Sequence, residues 1–159
     1  MSVVIATYDR HEVLARTLEA LMGQEGAPPF EILVADDGSR DGTPEMAEGL
    51  LAAGGVPYRI SSAPNAGQAA ARNRALGVAR APVVLFLNDD TIPAPDLVAR
   101  HAEARVRHAR GGEADRGLCV LGALRTSPSL PRDQIAWLYV FDDRLLEGRD
   151  EVPYLFFWT

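Results

Sequence analysis

The 159-residue chain contains no lysine, and all 16 of its basic residues are arginines. That excludes a Schiff-base lysine and the lysine of a Walker phosphate loop. A receiver-type signalling domain, which gathers acids around Mg2+ but also uses a lysine, is disfavoured on the same ground. There is a single cysteine, Cys119, so no internal disulfide can form and a reducing, intracellular setting is expected. No apolar run approaches ~20 residues, the length that crosses a bilayer. No basic segment followed by an apolar stretch opens the chain, so no signal peptide is expected. The net charge of −6 argues against a nucleic-acid partner, which favours a basic surface. No GxGxxG follows the first apolar run, which sets aside a dinucleotide-binding domain. TYDRHE at that place is also unlike the Gly-rich, Arg- and Lys-bearing loop of a sugar-nucleotide nucleotidyltransferase. His11-Glu12 lacks the second histidine of a zinc protease motif. His11, His101 and His108 show no metal spacing and are expected at the surface, with Cys119 in the core.

What is present is an ordinary soluble composition, 47% apolar and 24% charged, long enough for one domain spanning 1–159 with a sizeable core. The chain turns on Val83-Val84-Leu85-Phe86-Leu87-Asn88-Asp89-Asp90-Thr91. Its length and branched, aromatic make-up predict a strand buried on both faces, bounded by Pro82 and Pro93. The strand ends in two adjacent carboxylates. Such a pair repels itself unless a cation or donors sit between, and oxygen ligands suit Mg2+ or Mn2+. In open α/β sheets, ligands bind beyond the carboxyl ends of the strands. A metal site holding a phosphorylated ligand is the expectation.

In chain order, a first strand is predicted over 2–7. Asp9, three residues before Glu12, predicts a capping box for the next helix, whose stripe is Val13, Leu14, Leu18, Leu21 and Met22. A second strand, 30–35, ends in a second acid pair, Asp36-Asp37, followed by turn chemistry from Gly38 to Gly42. Thr43 is expected to cap a helix with Pro44 at its first position, running to about Ala53. A third strand is predicted over 56–61. Asn65-Ala66-Gly67 opens an alanine-rich helix, 68–80. After the central strand, Pro93 and Pro95 start a helix carrying Leu97, Val98, His101 and Arg105. A polar loop over 110–116, a strand over 118–124, a helix over 133–146 and a strand over 152–158 complete the reading. Alternation at this spacing predicts an α/β fold, a mostly parallel sheet covered by helices on both faces.

Two strands ending in acid pairs is the main signal, because parallel strands bring both to one sheet edge. Alone, Asp36-Asp37 reads as turn material and Asp89-Asp90 as an N-cap cluster. The helix opened by Asn65-Ala66-Gly67 offers free N–H groups and a partial positive charge to a phosphate. Arg72, within about two turns of that end, adds a candidate bidentate contact. Arg74 reads as a solvated or salt-bridged surface residue. Tyr8 is a candidate to stack on a base. Trp137, Tyr139 and Phe141 read as packing, with an acceptor groove as the other reading.

SVVIATYDR, EILVADDGSRDGT, NAGQAAARNRAL and VVLFLNDDTIPAPDLVARH, together covering roughly residues 2–101, resemble the nucleotide-binding half of a family 2 glycosyltransferase with a GT-A (Rossmann-like) fold. The resemblance implies transfer of a sugar from a UDP- or dTDP-sugar to an acceptor hydroxyl (on a glycan, lipid or small molecule) with inversion and with Mg2+ or Mn2+. It implies that Ala6, Thr7 and Tyr8 edge the base pocket and that Asp37 accepts from the base, with Asp36 nearby. It places Arg72 on the nucleotide or diphosphate. Asn88-Asp89-Asp90 stands as the DxD-like motif, Asp90 as metal ligand and Asp89 near the ribose, sugar or metal. Position 6 is Ala where Pro is usual, and Asn88 replaces the first acid. The family's general base would follow Thr159; Asp142-Asp143 stand in the wrong motif context to be carried over. A truncated chain, a fragment, or a non-catalytic relic that binds nucleotide is therefore the competing expectation. The apolar end Leu155-Phe156-Phe157-Trp158 calls for self-association or a covering partner. A cytoplasmic placement is expected, with peripheral membrane association open to the family.

Overall fold

The computed structural model describes residues 1–108 and position 122. All its elements fall within the compact unit Met1–Leu118. They alternate as expected: β1 (Ser2–Thr7), α1 (His11–Met22), β2 (Glu31–Asp36), α2 (Thr43–Gly54), β3 (Tyr58–Ser62), α3 (Gln68–Leu76), β4 (Val84–Asn88) and α4 (Leu97–His108). The expected loop at 110–116, the strand at 118–124, the late helix and the final strand lie outside the described residues, as do Cys119, Trp137, Tyr139, Phe141, Asp142, Asp143 and the 155–158 end.

The sheet order is β3-β2-β1-β4, with every pairing parallel. Val3, Val4 and Ile5 of β1 are fully buried because strands flank them on both sides and helices cover both faces. On one face Val3, Ile5, Ile32, Val34 and Leu87 meet Leu14, Leu18 and Leu21 of α1, Ala47 and Leu51 of α2, and Val98 of α4. On the other, Val4, Ala6, Leu33 and Ala35 meet Ala71 and Ala75 of α3. The strand order reverses at β1: the chain steps outward through β2 and β3, then returns to the opposite side as β4. Crevices at such a reversal are the usual ligand sites of open α/β sheets.

Several local expectations are corrected. β4 is not buried on both faces: it pairs with β1 alone among the described residues, and Phe86 is 48% exposed. α3 stops at Leu76 rather than 80, because Gly77 ends it and the Arg80 N–H turns to the Glu31 carboxylate. β3 starts at Tyr58 rather than 56, since Pro57 has no N–H to give the ladder. In the α1 stripe, Val13 is exposed and Thr17 takes the buried place. His101 is half-buried rather than at the surface, and burial pulls its imidazole below the ordinary value.

The predicted caps also differ. Asp9 has a positive φ of 48°, and its Oδ1 accepts from the Arg40 N–H instead of closing a capping box. α2 begins at Thr43 itself, after a left-handed Gly42. One side chain caps both helices: Asp41 Oδ2 accepts from the His11 N–H, and Oδ1 accepts from the Thr43 N–H and hydroxyl. Removal of a single cap costs about 0.5–2 kcal/mol. Asp41→Ala removes both caps at once and is therefore expected to lower the urea midpoint, and an unchanged midpoint would contradict the double cap. Urea denaturation of the two proteins checks this.

Candidate functional site

The register puts the ends of β1, β2 and β4 side by side. Thr7 is level with Asp36, and Ala6 with both Ala35 and Asn88. Ala6, Thr7, Tyr8, Asp36, Asp37, Asn88, Asp89 and Asp90 lie at or just beyond this edge, with Arg72 on α3.

The β1–α1 and β2–α2 loops are stitched together there. The Asp9 N–H donates to Ser39 Oγ, the Arg40 N–H to Asp9, the His11 N–H to Asp41 and the Arg10 N–H to Thr43 Oγ1. The stitching leaves Tyr8 exposed at the rim. Gly38, with φ at +89°, packs against the next connection: a Cβ there would come within 3.0 Å of the Asn65 nitrogen and 3.1 Å of the Ala63 oxygen. Only glycine suits both demands.

The first acid pair builds this edge. Asp36 Oδ1 accepts from the Ser39 N–H, and its carbonyl accepts from the Ala63 N–H and from Arg74. Asp37 is 3% exposed. Its carboxylate accepts from the Ala66 and Gly67 N–H groups, just ahead of α3, and from Arg74 at 3.4 Å. Burial alone would push its carboxyl up. The two backbone donors and the Arg74 guanidinium outweigh that and hold it below the ordinary value of 3.8. Of the two surface readings for Arg74, solvated or salt-bridged, the structure shows the salt bridge, and it works inward, under the site.

The second pair is arranged differently. Asp89 is 8% exposed. Its Oδ2 accepts from the buried Thr7 hydroxyl at 2.9 Å, and its backbone carbonyl accepts from Thr17 of α1 at 2.8 Å. Burial pushes the Asp89 carboxyl above the ordinary carboxylate range, although Thr7 and Arg10 favour its charged form. Asp90 points to solvent. Arg10 Nη1 stands 3.6 Å from Asp89 Oδ1 and 3.1 Å from Asp90 Oδ2. The pair does not cap α4, which starts seven positions beyond Asp90, at Leu97.

Arg72 does not join the acids. Its Nη2 donates to Asn88 Oδ1 at 3.0 Å, and its guanidinium lies 5.9 Å from the Phe86 ring centre, within cation–π range. With Gln68, Ala69 and Asn73 these residues line an open cleft of about 400 Å³ beside the start of α3. The first N–H groups of that helix have no intrahelical acceptor, so an anion in the cleft would meet donors from backbone and side chain together.

Sequence reasoning did not single out Arg10, Thr17, Ser39 or Asp41. Arg10 and Thr17 meet partners 80 and 72 positions away, and no local spacing announces such contacts. Asp41 carried a signal: it stands two residues before Thr43-Pro44, where an acid can serve a helix start.

A family model described as Glycosyl transferase family 2 matches residues 2–115. The uncharacterized glycosyltransferase YfnE of Bacillus subtilis is 41% identical over 104 residues, which is 65% of this chain and 26% of YfnE. Among solved structures, S. aureus TarS 1-349 in complex with UDP-GlcNAc superposes with a TM-score of 0.63 at 28% identity, over 68% of this chain and 31% of that one. The mannosyltransferase PcManGT from Pyrobaculum calidifontis, in complex with GDP-Man and Mn2+, gives a TM-score of 0.60 at 25% identity, over 64% and 31%. The chain thus spans about a quarter to a third of the length of these relatives. With them, the expected GT-A architecture is the one observed.

Asp37 and Asp41 are both held below the ordinary carboxylate value of 3.8, Asp41 chiefly by the Thr43 hydroxyl. A depressed folded value adds stability above the unfolded value and loses it as pH falls through the folded one. Stability is expected to drop steeply below about pH 4, and Asp37→Asn is expected to flatten that acid limb. Denaturation midpoints from about pH 5 to about pH 2 test this; an unchanged limb in the variant contradicts it.

Proposed function

The chain belongs to glycosyl transferase family 2, and we propose that it is the donor-binding part of a transferase that moves a sugar from a UDP- or dTDP-sugar to an acceptor hydroxyl with inversion, using Mg2+ or Mn2+. The observation that carries this reading is the convergence of Thr7, Asp89 and Asp90 at the reversal point between β1 and β4. The complexes of TarS with UDP-GlcNAc and of PcManGT with GDP-Man and Mn2+ support the ligand class.

The donor set fits a divalent ion. Nη1 of Arg10 lies 3.6 Å from an oxygen of Asp89 and 3.1 Å from one of Asp90, so both acids face one cationic position, and the exposed Asp90 side chain is free to draw closer to a smaller ion. Mg2+ and Mn2+ are commonly held by one or two carboxylates with substrate phosphates completing the shell. Asp90 and Asp89 are the residues that would hold it. When bound, the metal neutralises the charge that grows on the departing nucleoside diphosphate.

The protein's own groups set the rest. Thr7 fixes Asp89 so that Oδ2 is spent inward and Oδ1 faces the edge. Asp37 already takes three donors, leaving about one of a carboxylate's four acceptor positions for a base N–H. Its lowered pKa keeps it ionised for that task. Ala6, Thr7 and Tyr8 edge the base pocket, with Asp36 beneath as turn support. Arg72, backed by Asn88, supplies charge-assisted donors to the nucleotide or diphosphate from the α3 side.

Calorimetric titration with UDP and with dTDP, each with and without Mn2+, tests the proposal. Binding is expected to require Mn2+, and Asp90→Ala is expected to weaken it by at least about tenfold. Arg72→Ala is expected to weaken it about tenfold through loss of a charged donor. Unchanged affinity in Asp90→Ala would sink the metal assignment; no binding of either nucleotide by the folded chain would sink the donor reading.

A further inference from the structure

Arg10 pairs with both of the acids proposed above as metal ligands. It enters from the β1–α1 loop, the residue just before α1, and its Nη1 bridges Asp89 Oδ1 and Asp90 Oδ2 at 3.6 and 3.1 Å. Its ends are treated differently. The backbone N–H is tied to Thr43 Oγ1, in the stitched loop pair, while the side chain is 47% exposed. The guanidinium can therefore swing into solvent without disturbing the loop that carries it. Asp89 cannot follow: its other oxygen is held by Thr7, and its backbone carbonyl by Thr17.

We infer that Arg10 is an internal counter-ion of the Asp89–Asp90 pair, whose ion pairs and a bound divalent cation exclude one another. The inference rests on the metal reading of the same site given above. Its physical basis is competition for the same oxygens. Adjacent carboxylates repel unless a cation lies between them. With no metal bound, the guanidinium supplies that cation and keeps the pair closed. A metal that binds must displace it, so the energy of the two ion pairs is subtracted from the metal's affinity. Arg10 thereby sets the metal concentration at which the site opens, without being a ligand itself.

The size of the effect follows from the exposure of the pairs. Ion pairs in contact with solvent contribute under about 1 kcal/mol, so removing them should tighten metal binding about two- to fivefold. Mn2+ alone is the probe, titrated calorimetrically into the 159-residue chain and into Arg10→Gln at low salt, with no nucleotide present. Arg10→Gln is expected to bind Mn2+ about two- to fivefold more tightly, and Arg10→Lys, which keeps the charge, to bind like the unaltered chain. A second readout is the rise in melting temperature on adding Mn2+, expected to be larger in Arg10→Gln because tighter binding to the folded state stabilises it more. Equal or weaker Mn2+ binding in Arg10→Gln overturns the inference while leaving the metal reading intact. No Mn2+ binding by any of these folded proteins, with or without added UDP, overturns both.

Discussion

β1 is hydrogen-bonded in parallel on both edges, and the whole site depends on that. Flanked by β2 and β4, its apolar residues can be covered from either face, and Val3, Val4 and Ile5 are fully buried as a result. The same pairing fixes where the polar residues fall. Side chains alternate along a strand, so a slip of one residue between β1 and β4 would turn Asn88 and its neighbours to the wrong face. The hydrophobic register of the core is therefore also the positional code of the site. Thr7, Asp36 and Asn88 arrive together because Val3, Ile32 and Leu85 pack level with one another below them.

On this edge the two acid pairs are used in opposite ways. Asp36 and Asp37 serve mainly the fold, with backbone N–H groups and Arg74 occupying most of their acceptor positions. Asp37 is held ionised and helps organise the connection into α3. Asp89 is buried with fewer donors, and burial raises its carboxyl. Asp89 and Asp90 thus keep unspent affinity for a cation, which Arg10 meets from outside. One pair lends rigidity and the other lends charge. The second would be poorly placed without the first, since the Ser39 and Asp41 turn that follows Asp37 also anchors the loop carrying Arg10.

Much of this was legible in the sequence, for identifiable reasons. Buried parallel strands are continuous apolar runs, so β1, β2 and β4 were visible as such, and their alternation with helices implied a parallel sheet. The acid pairs were visible because each directly ends a strand. Harder to see was anything decided by distant partners. β4 reads as doubly buried because its apolar composition does not reveal that Phe86 lies half-exposed beside Arg72. The alanine run suggested a helix to residue 80, but Glu31, on the opposite end of the sheet, draws the Arg80 N–H away. Asp9 has the spacing of a capping box, yet its left-handed backbone turns it toward Arg40. Arg10 has no local signature: its partners come 80 residues later. The specific role for Asp37 came from family resemblance, whereas Arg72 was also singled out by its distance from the start of its helix.

The central claim is that the switch point between β1 and β4 is a metal-dependent nucleotide site. Its most direct test is amide NMR of the isotope-labelled chain with UDP and substoichiometric Mn2+, whose unpaired electrons broaden the signals of nearby groups. The account predicts selective loss of the Thr7, Tyr8, Arg10 and Asn88 to Thr91 resonances, with β3 and the α2 C-terminus unaffected and with Mg2+ restoring the lost peaks by competition. Uniform broadening, or broadening centred elsewhere on the chain, would contradict it.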